Sequence, residues 1–320
     1  MSRESGGRVV IIGAGLVGST FAYSLMINGV ASEIVMIDVN QERLMGEVMD
    51  LNHGIAFVRP VTVRAGDYSD CRTADVIVIT AGVSQKPGES RLDLLGRNAA
   101  IFQSIVAEIN ASGSEAIILV ATNPVDIMAH FTYRMSGFPP GRVIGSGTVL
   151  DTARFRFLIS NHCQVDPSNV HAYIIGEHGD SEVPVWSLAN IAGVRFSEYC
   201  PVCNCNGNCN HQFPRERIFN EVKAAAYRII EGKGATYYAI GLALVEIVES
   251  ILRNEYSVLT VSTLMTGEYG LEDVYLSLPC VLSRKGVGQK ILLSLSAEEE
   301  TALRRSGALL KETSKLIKIN

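Results

Sequence analysis

The chain has 320 residues, with 28 Lys and Arg against 33 Asp and Glu, which gives a formal net charge of −5 at pH 7. Hydrophobic residues make up 47% and charged residues 19%, a balance that excludes a disordered, collagen-like or highly charged protein. The mild acidity argues against a nucleic-acid-binding surface, which needs clustered Lys and Arg, and no apolar run approaches the ~18 residues that cross a membrane.

The N-terminus and the cysteines indicate the compartment. Met1 to Gly7 is polar and leads directly into a predicted strand, without the apolar core of a signal peptide. The seven cysteines are an odd number, and four of them crowd into residues 200–209, so they do not form a disulfide framework. We therefore expect a protein of the reducing cytoplasm, with no membrane or nucleic-acid partner.

Short apolar runs alternate with helical patterns through the first half of the chain. The predicted strands cover residues 8–12, 33–37, 75–80, 116–120 and 142–144, and the predicted helices 16–29, 40–50, 92–111, 125–136 and 149–161. Nearly continuous apolar strands indicate burial on both faces of a parallel sheet. The alternation predicts an α/β fold, a doubly wound Rossmann domain.

The pattern changes from about residue 148. Strands are predicted at 170–175 and, antiparallel, at 258–264 and 273–278, and a long helical pattern over 214–253 is broken at Gly232 and Gly234. A final helix begins at Ser296, where Glu299 completes a capping box. The length fits about two domains. We predict a dinucleotide-binding domain over residues 1–145 and a mixed α+β catalytic domain over 146–320.

A glycine-rich turn follows the first predicted strand. Gly13-Ala14-Gly15-Leu16-Val17-Gly18 matches G-x-G-x-x-G, opens a helix, and is followed 20 residues after Gly18 by Asp38 at the end of the next strand. Gly13 permits the tight turn, Gly15 lets a pyrophosphate approach the backbone, and Gly18 lets helix and strand pack closely. Asp38 suits the adenosine ribose and repels a 2′-phosphate, so the motif predicts NAD.

Four further motifs carry a resemblance to a known family. They are Gln85-Lys86-Pro87-Gly88-Glu89-Ser90-Arg91, Thr122-Asn123-Pro124, Asp151-Thr152-Ala153-Arg154 and Gly176-Glu177-His178-Gly179-Asp180. With the glycine-rich turn, their order and spacing resemble the NAD-dependent lactate/malate dehydrogenases over nearly the whole chain, and among these the bacterial L-lactate dehydrogenases. The resemblance implies reversible hydride transfer between NADH and pyruvate, giving L-lactate.

Asp151, Arg154 and His178 also make chemical sense by themselves. Asp151 and Arg154 are three residues apart on a predicted helix, so they share a face. Arg154 can bind a carboxylate through two parallel hydrogen bonds, which Lys cannot reproduce. Asp151 can fix the tautomer of an imidazole and raise its pKa. His178, in a loop after a strand, is the predicted proton donor to the carbonyl oxygen of pyruvate.

Further residues carry over from the resemblance. Arg91, at the end of a predicted lid over 82–90, would polarise the reacting carbonyl on closure. Asn123 would bind near the same oxygen or the nicotinamide, and Thr236, at a predicted helix start, would line the substrate pocket. The remaining cofactor contacts are less constrained by sequence, since many would use backbone atoms; they are Val17, Arg43, Tyr68, Gly82, Val83, Ser104, Ala121 and Ser146.

Gln85 bears on the choice of substrate. Family members that reduce oxaloacetate have an arginine at this first lid position, and the neutral Gln85 would leave the second carboxylate unpaired on closure. The sequence therefore predicts pyruvate. The alternatives are a dehydrogenase for malate or another 2-hydroxy acid, and a catalytically silent dinucleotide-binding protein on the same fold.

Two features concern regulation and metal binding. Arg156 and His171 match the Arg and His with which bacterial members bind fructose 1,6-bisphosphate between subunits, and the family forms homotetramers, so we expect both properties. The cluster Cys200, Cys203, Cys205, Cys209 and His211 has soft ligands but lacks the spacing of common zinc sites. An exposed reduced loop is the preferred interpretation, with a structural metal and local disulfides as alternatives.

Overall fold

The computed structural model describes residues 6–83, 91–199 and 212–316. The strands are β1 (Gly7–Ile12), β2 (Ala31–Ile37), β3 (Thr62–Ala65), β4 (Val76–Ile79), β5 (Ile117–Val120), β6 (Val143–Gly145), β7 (Val170–His171), β8 (Ile174–Ile175), β9 (Val183–Pro184), β10 (Asn190–Ile191), β11 (Val194–Arg195), β12 (Val258–Thr266), β13 (Glu272–Ser283) and β14 (Gly286–Lys290). The α-helices are α1 (Leu16–Asn28), α2 (Gln41–His53), α3 (Arg91–Ala111), α4 (Val125–Ser136), α5 (Val149–Cys163), α6 (Gln212–Lys233), α7 (Tyr238–Leu252) and α8 (Ala297–Ser314).

The first six strands form a parallel sheet in the order β6-β5-β4-β1-β2-β3. This order, with the chain starting at the centre and reversing direction beside β1 and β4, is that of a doubly wound Rossmann domain. β4 and β5 are buried along their whole length, as their continuous apolar sequences require. The predicted fold class is confirmed.

The carboxyl ends of these strands lie along one edge of the sheet. β1 runs into Gly13, β2 into Asp38, β4 into Thr80 and β5 into Ala121. Ligands of open α/β sheets bind in the crevice outside this edge, where the strand order reverses. The topology therefore collects most of the predicted cofactor residues in one place.

The second half of the chain continues the same sheet. β12 pairs antiparallel with β6 through Ser262 and Gly145, and β13 and β14 follow as an antiparallel meander. Within the described part of the chain this makes one sheet of nine strands. Helix α8 begins after Ser296 with the predicted capping box, which is confirmed by reciprocal hydrogen bonds between Ser296 and Glu299.

Three details differ from the sequence prediction. The predicted strand 170–175 is divided into β7, in a small sheet with β10 and β11, and β8, which pairs with β9. The chain leaves one sheet and enters another here, a change that a continuous apolar pattern does not reveal. Helix α6 continues through Gly232 and ends before Gly234, whose φ of +84° only glycine adopts readily. Five strands were not predicted, namely β3, β9, β10, β11 and β14.

No helix in the described ranges is long and apolar enough to span a lipid bilayer.

Candidate active site

The glycine-rich turn has the shape that a dinucleotide phosphate requires. Gly13 has φ +112°, and a Cβ at Gly18 would lie 1.8 Å from the carbonyl oxygen of Gly13, so neither position accepts a side chain. At Gly15 a Cβ would meet nothing within 4 Å, so the space above this residue is open. Gly15 also caps α1, and as a glycine it has no side chain that could accept hydrogen bonds from the backbone N–H groups of the first turn. A helix N-terminus with free N–H groups and open space before it fits a pyrophosphate.

Asp38 lies directly beside this turn. Its Oδ2 accepts a hydrogen bond of 2.6 Å from the backbone N–H of Ala14, and its Oδ1 accepts one of 2.8 Å from the backbone N–H of Asn40. The carboxylate is thus held at the end of β2, next to the phosphate-binding turn. This is the place where a dinucleotide-binding fold binds the adenosine ribose, so the residues fit NAD.

Two predicted site segments, at Val83 and at Asn123, are joined by Asn98, which sequence analysis missed. Asn98 is 1% exposed. Its Oδ1 accepts a hydrogen bond of 2.9 Å from the backbone N–H of Val83, and its Nδ2 donates one of 3.1 Å to the carbonyl oxygen of Asn123. One buried amide thus fixes two of the predicted site segments relative to each other.

The other predicted cofactor residues occupy several environments. Gly82 packs so closely on Thr122 that a Cβ would lie 2.4 Å from its Cγ2. Ala121 and Ser146 follow β5 and β6, and Ser146 is buried. The remaining four residues are exposed or half-buried. They are Val17 on α1, Arg43 on α2, Tyr68 in the turn after β3 and Ser104 on α3.

His178, Asp151 and Arg154 form one connected unit. The Asp151 carboxylate is 2% exposed, and its Oδ2 lies 2.5 Å from Nδ1 of His178. Its Oδ1 accepts a hydrogen bond of 2.7 Å from Nη1 of Arg154. Because a carboxylate only accepts hydrogen bonds, Nδ1 of His178 carries a proton and Nε2 is left for a substrate.

The pKa values in this unit favour an ion pair. Burial alone would lower the pKa of His178, but the Asp151 carboxylate, assisted by Asp126 and Glu182, outweighs burial and raises this pKa to about 9. Burial likewise opposes ionisation of Asp151, yet the charges of His178 and Arg154 hold its pKa below the usual range. At neutral pH His178 is therefore an imidazolium, ready to donate a proton.

The loop that carries His178 is anchored on both sides. Gly176 exchanges two backbone hydrogen bonds of 2.9 Å with Ser277 of β13, and the backbone N–H of Glu177 donates to Oγ of Ser306 on α8 at 2.9 Å. On the other side, the backbone N–H of Ile174 donates to Oγ1 of Thr152, the residue after Asp151. These bonds fix the distance between the loop and helix α5.

Asp126 is a positioning residue that sequence analysis did not find. It lies on α4, is 2% exposed, and accepts hydrogen bonds from the backbone N–H of His178 (2.8 Å) and the hydroxyl of Ser262 (2.6 Å). One buried carboxyl thus joins α4, the His178 loop and β12. Burial raises its pKa to about 6, against the opposing effect of these two hydrogen bonds. Its only sequence signal is a charged residue inside an apolar helical run.

This raised pKa predicts a pH-dependent stability. A carboxyl group whose pKa is higher in the folded state than in the unfolded state favours folding at low pH, where it is protonated. This contribution to the free energy of unfolding is lost as the pH rises through about 6. Asn at position 126 stays neutral, so the stability of Asp126→Asn relative to wild type should improve by about 1–3 kcal/mol between pH 5 and pH 7.5. Urea unfolding at several pH values measures this, with Asp50→Asn on the exposed face of α2 as control. A difference that is constant with pH would refute the assignment.

The structure leaves some predicted residues without a described position. Gln85, and the cluster Cys200, Cys203, Cys205, Cys209 and His211, lie outside the described residues, as does the side chain of Arg91 at the start of α3. Thr236 is half-buried and lies in the connection before α7 rather than at the predicted helix start. The described cysteines Cys71, Cys163 and Cys280 are free and buried.

The two predicted allosteric residues lie on different elements, Arg156 on α5 and His171 on β7. Nε of Arg156 donates a hydrogen bond of 3.0 Å to the carbonyl oxygen of Ala172, the residue after His171. The guanidinium also lies 5.5 Å from the ring centroid of Tyr173. His171 is exposed at the end of β7. The two residues are therefore brought to the same region of the surface.

Comparison with known families matches both halves of the chain. Residues 7–145 match the lactate/malate dehydrogenase NAD binding domain, and residues 148–319 match the lactate/malate dehydrogenase alpha/beta C-terminal domain. The L-lactate dehydrogenase of Acetivibrio thermocellus is 54% identical over 312 residues, which cover 98% of each chain. L-lactate dehydrogenase 1 of Clostridium acetobutylicum is 51% identical, over 96% of this chain and 97% of its own.

Solved structures show the same likeness. The minor L-lactate dehydrogenase of Enterococcus mundtii in a ligand-bound form superposes with a TM-score of 0.95 at 43% identity, covering 99% of this chain and all of that one. The ligand-unbound form of the same protein gives a TM-score of 0.90 at 42% identity, covering 99% of each chain. Of these two forms, the ligand-bound one gives the higher TM-score over the whole chain.

Proposed function

The chain belongs to the lactate/malate dehydrogenase family and is an NAD-dependent L-lactate dehydrogenase, and from this premise we propose the roles of its residues. The observation that carries the proposal is the connected unit of His178, Asp151 and Arg154, in which Asp151 engages Nδ1 of His178 and leaves Nε2 as the atom that can face a substrate. The substrates are pyruvate and, in the reverse direction, L-lactate.

The unit performs the acid–base part of the reaction. When bound, NAD supplies or accepts the hydride at the carbon of the substrate carbonyl. Arg154 binds the substrate carboxylate through its outward N–H groups and so orients the carbonyl toward His178. His178 donates the proton from Nε2 to the carbonyl oxygen as the hydride arrives, and Asp151 stabilises the imidazolium before the transfer. In lactate oxidation His178 takes the proton back.

The remaining substrate contacts follow the family motifs. Arg91 polarises the carbonyl when the lid over 82–90 closes and excludes water. Asn123 donates near the same oxygen or the nicotinamide, and its position is supported by the buried Asn98. Thr236 lines the pocket from the connection between α6 and α7.

Gln85 is proposed to select pyruvate over oxaloacetate. We expect Gln85→Arg to raise kcat/KM for oxaloacetate roughly 10- to 100-fold, because the new guanidinium pairs with the second carboxylate. The same change should lower kcat/KM for pyruvate. NADH absorbance with each substrate measures both values, and Gln289→Arg on the exposed edge strand β14 is the matched control. Unchanged oxaloacetate turnover in Gln85→Arg would remove Gln85 from this role.

Regulation is proposed to act through Arg156 and His171. In a homotetramer, a two-fold axis would bring two copies of each residue to one fructose 1,6-bisphosphate, whose negative charges would offset the repulsion between them. The support in this chain is the hydrogen bond from Arg156 to the backbone carbonyl of Ala172, the residue that follows His171. The ligand would favour the subunit arrangement with the better-formed substrate site. We also propose a cytoplasmic location.

Millimolar fructose 1,6-bisphosphate is expected to shift the pyruvate saturation curve between about pH 6 and pH 7.5. A coupling of ~1–3 kcal/mol corresponds to a change in pyruvate affinity of roughly 5- to 150-fold. The double variant Arg156→Gln with His171→Asn should abolish the shift and keep the basal curve. Superimposable wild-type curves would end this proposal, an effect that survives in the double variant would relocate the site, and light scattering that finds a monomer would refute the tetramer.

A further inference from the structure

Glu182 is a buried acid in the same turn as His178 that the mechanism above does not use. It follows His178 by four residues, and its backbone N–H donates to the carbonyl oxygen of Gly179 at 3.2 Å, which closes the turn. The residue is 7% exposed. Within the part of the chain that the structure describes, its Oε1 is buried and has no hydrogen-bond partner. Burying an unpaired oxygen of a charged carboxylate costs free energy, and this cost is smaller when the carboxyl group is protonated and therefore neutral.

The charges around Glu182 belong to the reaction site. The charged groups that interact electrostatically with Glu182 are Asp151 and Arg154 on α5, His178 in the same loop, and Lys223 on α6. On the outer side, Glu182 lines a surface cleft together with Asp180 of its own turn and with Glu298 and Arg305 of α8. Burial first, and then the charge of Asp151, raise the pKa of Glu182 to about 8, while the three cations oppose this rise.

The burial and position of Glu182 determine what its ionisation does. With Glu182 neutral, the unit of His178, Asp151 and Arg154 has one net positive charge, which the carboxylate of pyruvate balances. An ionised Glu182 cancels that positive charge before the substrate arrives, so that pyruvate enters with an unbalanced negative charge. We propose that Glu182 is a positioning residue for pyruvate: as a neutral acid it keeps the buried site cationic, and its ionisation weakens substrate capture by Arg154.

The proposal predicts a particular pH dependence for Glu182→Gln. Gln has the same shape but cannot ionise, so kcat/KM for pyruvate should equal that of wild type within about twofold at pH 6.5. At pH 8.5 the KM for pyruvate, corrected for the fraction of His178 that is protonated in each enzyme, should be lower in the variant than in wild type by up to about tenfold, because the repulsion between two negative charges at an effective dielectric of about 20 is gone. The gain should lie in KM, because Glu182 does not touch the reacting atoms.

Steady-state rates of pyruvate reduction from about pH 6 to about pH 9.5 test this, with Glu198→Gln as the control at an exposed position. We expect wild type and Glu198→Gln to lose kcat/KM in two steps, through Glu182 and then His178. Glu182→Gln should show only the His178 step, at a lower pH because the neighbouring negative charge is gone. Profiles of Glu182→Gln and wild type that are parallel at all pH values would overturn the proposal.

A second measurement needs no variant. Infrared spectroscopy of the wild-type holoenzyme should show the C=O stretch of a protonated carboxyl group at pH 7.5, where Asp126 is largely ionised. This band should disappear as the pH rises through about 8. Its absence at pH 7.5 would show that Glu182 is already charged, which contradicts the proposal even if Glu182→Gln fails to fold.

Discussion

His178→Asn is expected to lower kcat/KM for pyruvate reduction by a factor of roughly 10²–10⁴, the usual contribution of a positioned general acid. The variant keeps a polar side chain that can form hydrogen bonds, but its amide cannot transfer a proton to the carbonyl oxygen. Affinity for NADH should change little, since the glycine-rich turn and Asp38 do not contact His178. Steady-state rates and a fluorescence titration with NADH separate the two effects.

The chain provides a matched control in a second His–Asp pair. Nε2 of His130 lies 3.2 Å from Oδ1 of Asp273, between α4 and β13, away from the site. His130→Asn removes the same chemical group from a buried position, and its kcat/KM should stay within a few-fold of wild type. Should His178→Asn retain activity comparable to that of His130→Asn, His178 is not the proton donor.

Arg154→Lys is expected to raise KM for pyruvate by roughly 10- to 150-fold. Lys keeps the positive charge but cannot form two parallel hydrogen bonds with a carboxylate, and hydrogen bonds to charged groups contribute about 1.5–3 kcal/mol. The variant also loses the 2.7 Å bond to Asp151 in its present geometry, so a smaller decrease in kcat accompanies the change in KM.

The pyruvate analogue oxamate gives an independent readout for Arg154. Its binding to the enzyme–NADH complex should weaken in Arg154→Lys by about the same factor as KM rises. Arg134→Lys, on the half-exposed face of α4, is the control for the substitution itself. Tight oxamate binding by Arg154→Lys would assign the substrate carboxylate to another cation.

The sequence predicted the parts of the site that depend on local pattern. The strand–glycine turn–helix unit and Asp38 are encoded within about 30 consecutive residues, and the structure brings Asp38 to Ala14 as expected. Asp151 and Arg154 were also placed on one helical face by their spacing, and a hydrogen bond joins them. Such features can be read from sequence because the periodicity of the backbone fixes them.

What the sequence did not predict depends on contacts between distant segments. Asp126 and His178 are 52 residues apart, Asn98 and Asn123 are 25 apart, and both hydrogen bonds form only after the sheet has assembled. Strand β3 has only four residues, and only the second of them, Val63, is buried, so the strand shows little apolar pattern. The division of 170–175 into two strands is fixed by pairing with two different strands, β10 for β7 and β9 for β8. Local patterns carry no information on these pairings.

The most direct test of the account follows the hydride itself. Wild-type enzyme is given pyruvate and NADH that carries two deuterium atoms at C4 of the nicotinamide, and the product is examined by mass spectrometry and chiral chromatography. The account predicts L-lactate with one deuterium at C2, formed at a rate that falls as the pH rises through about 9, the pKa of His178. Unlabelled lactate, D-lactate, or no lactate from pyruvate while oxaloacetate is reduced would contradict it.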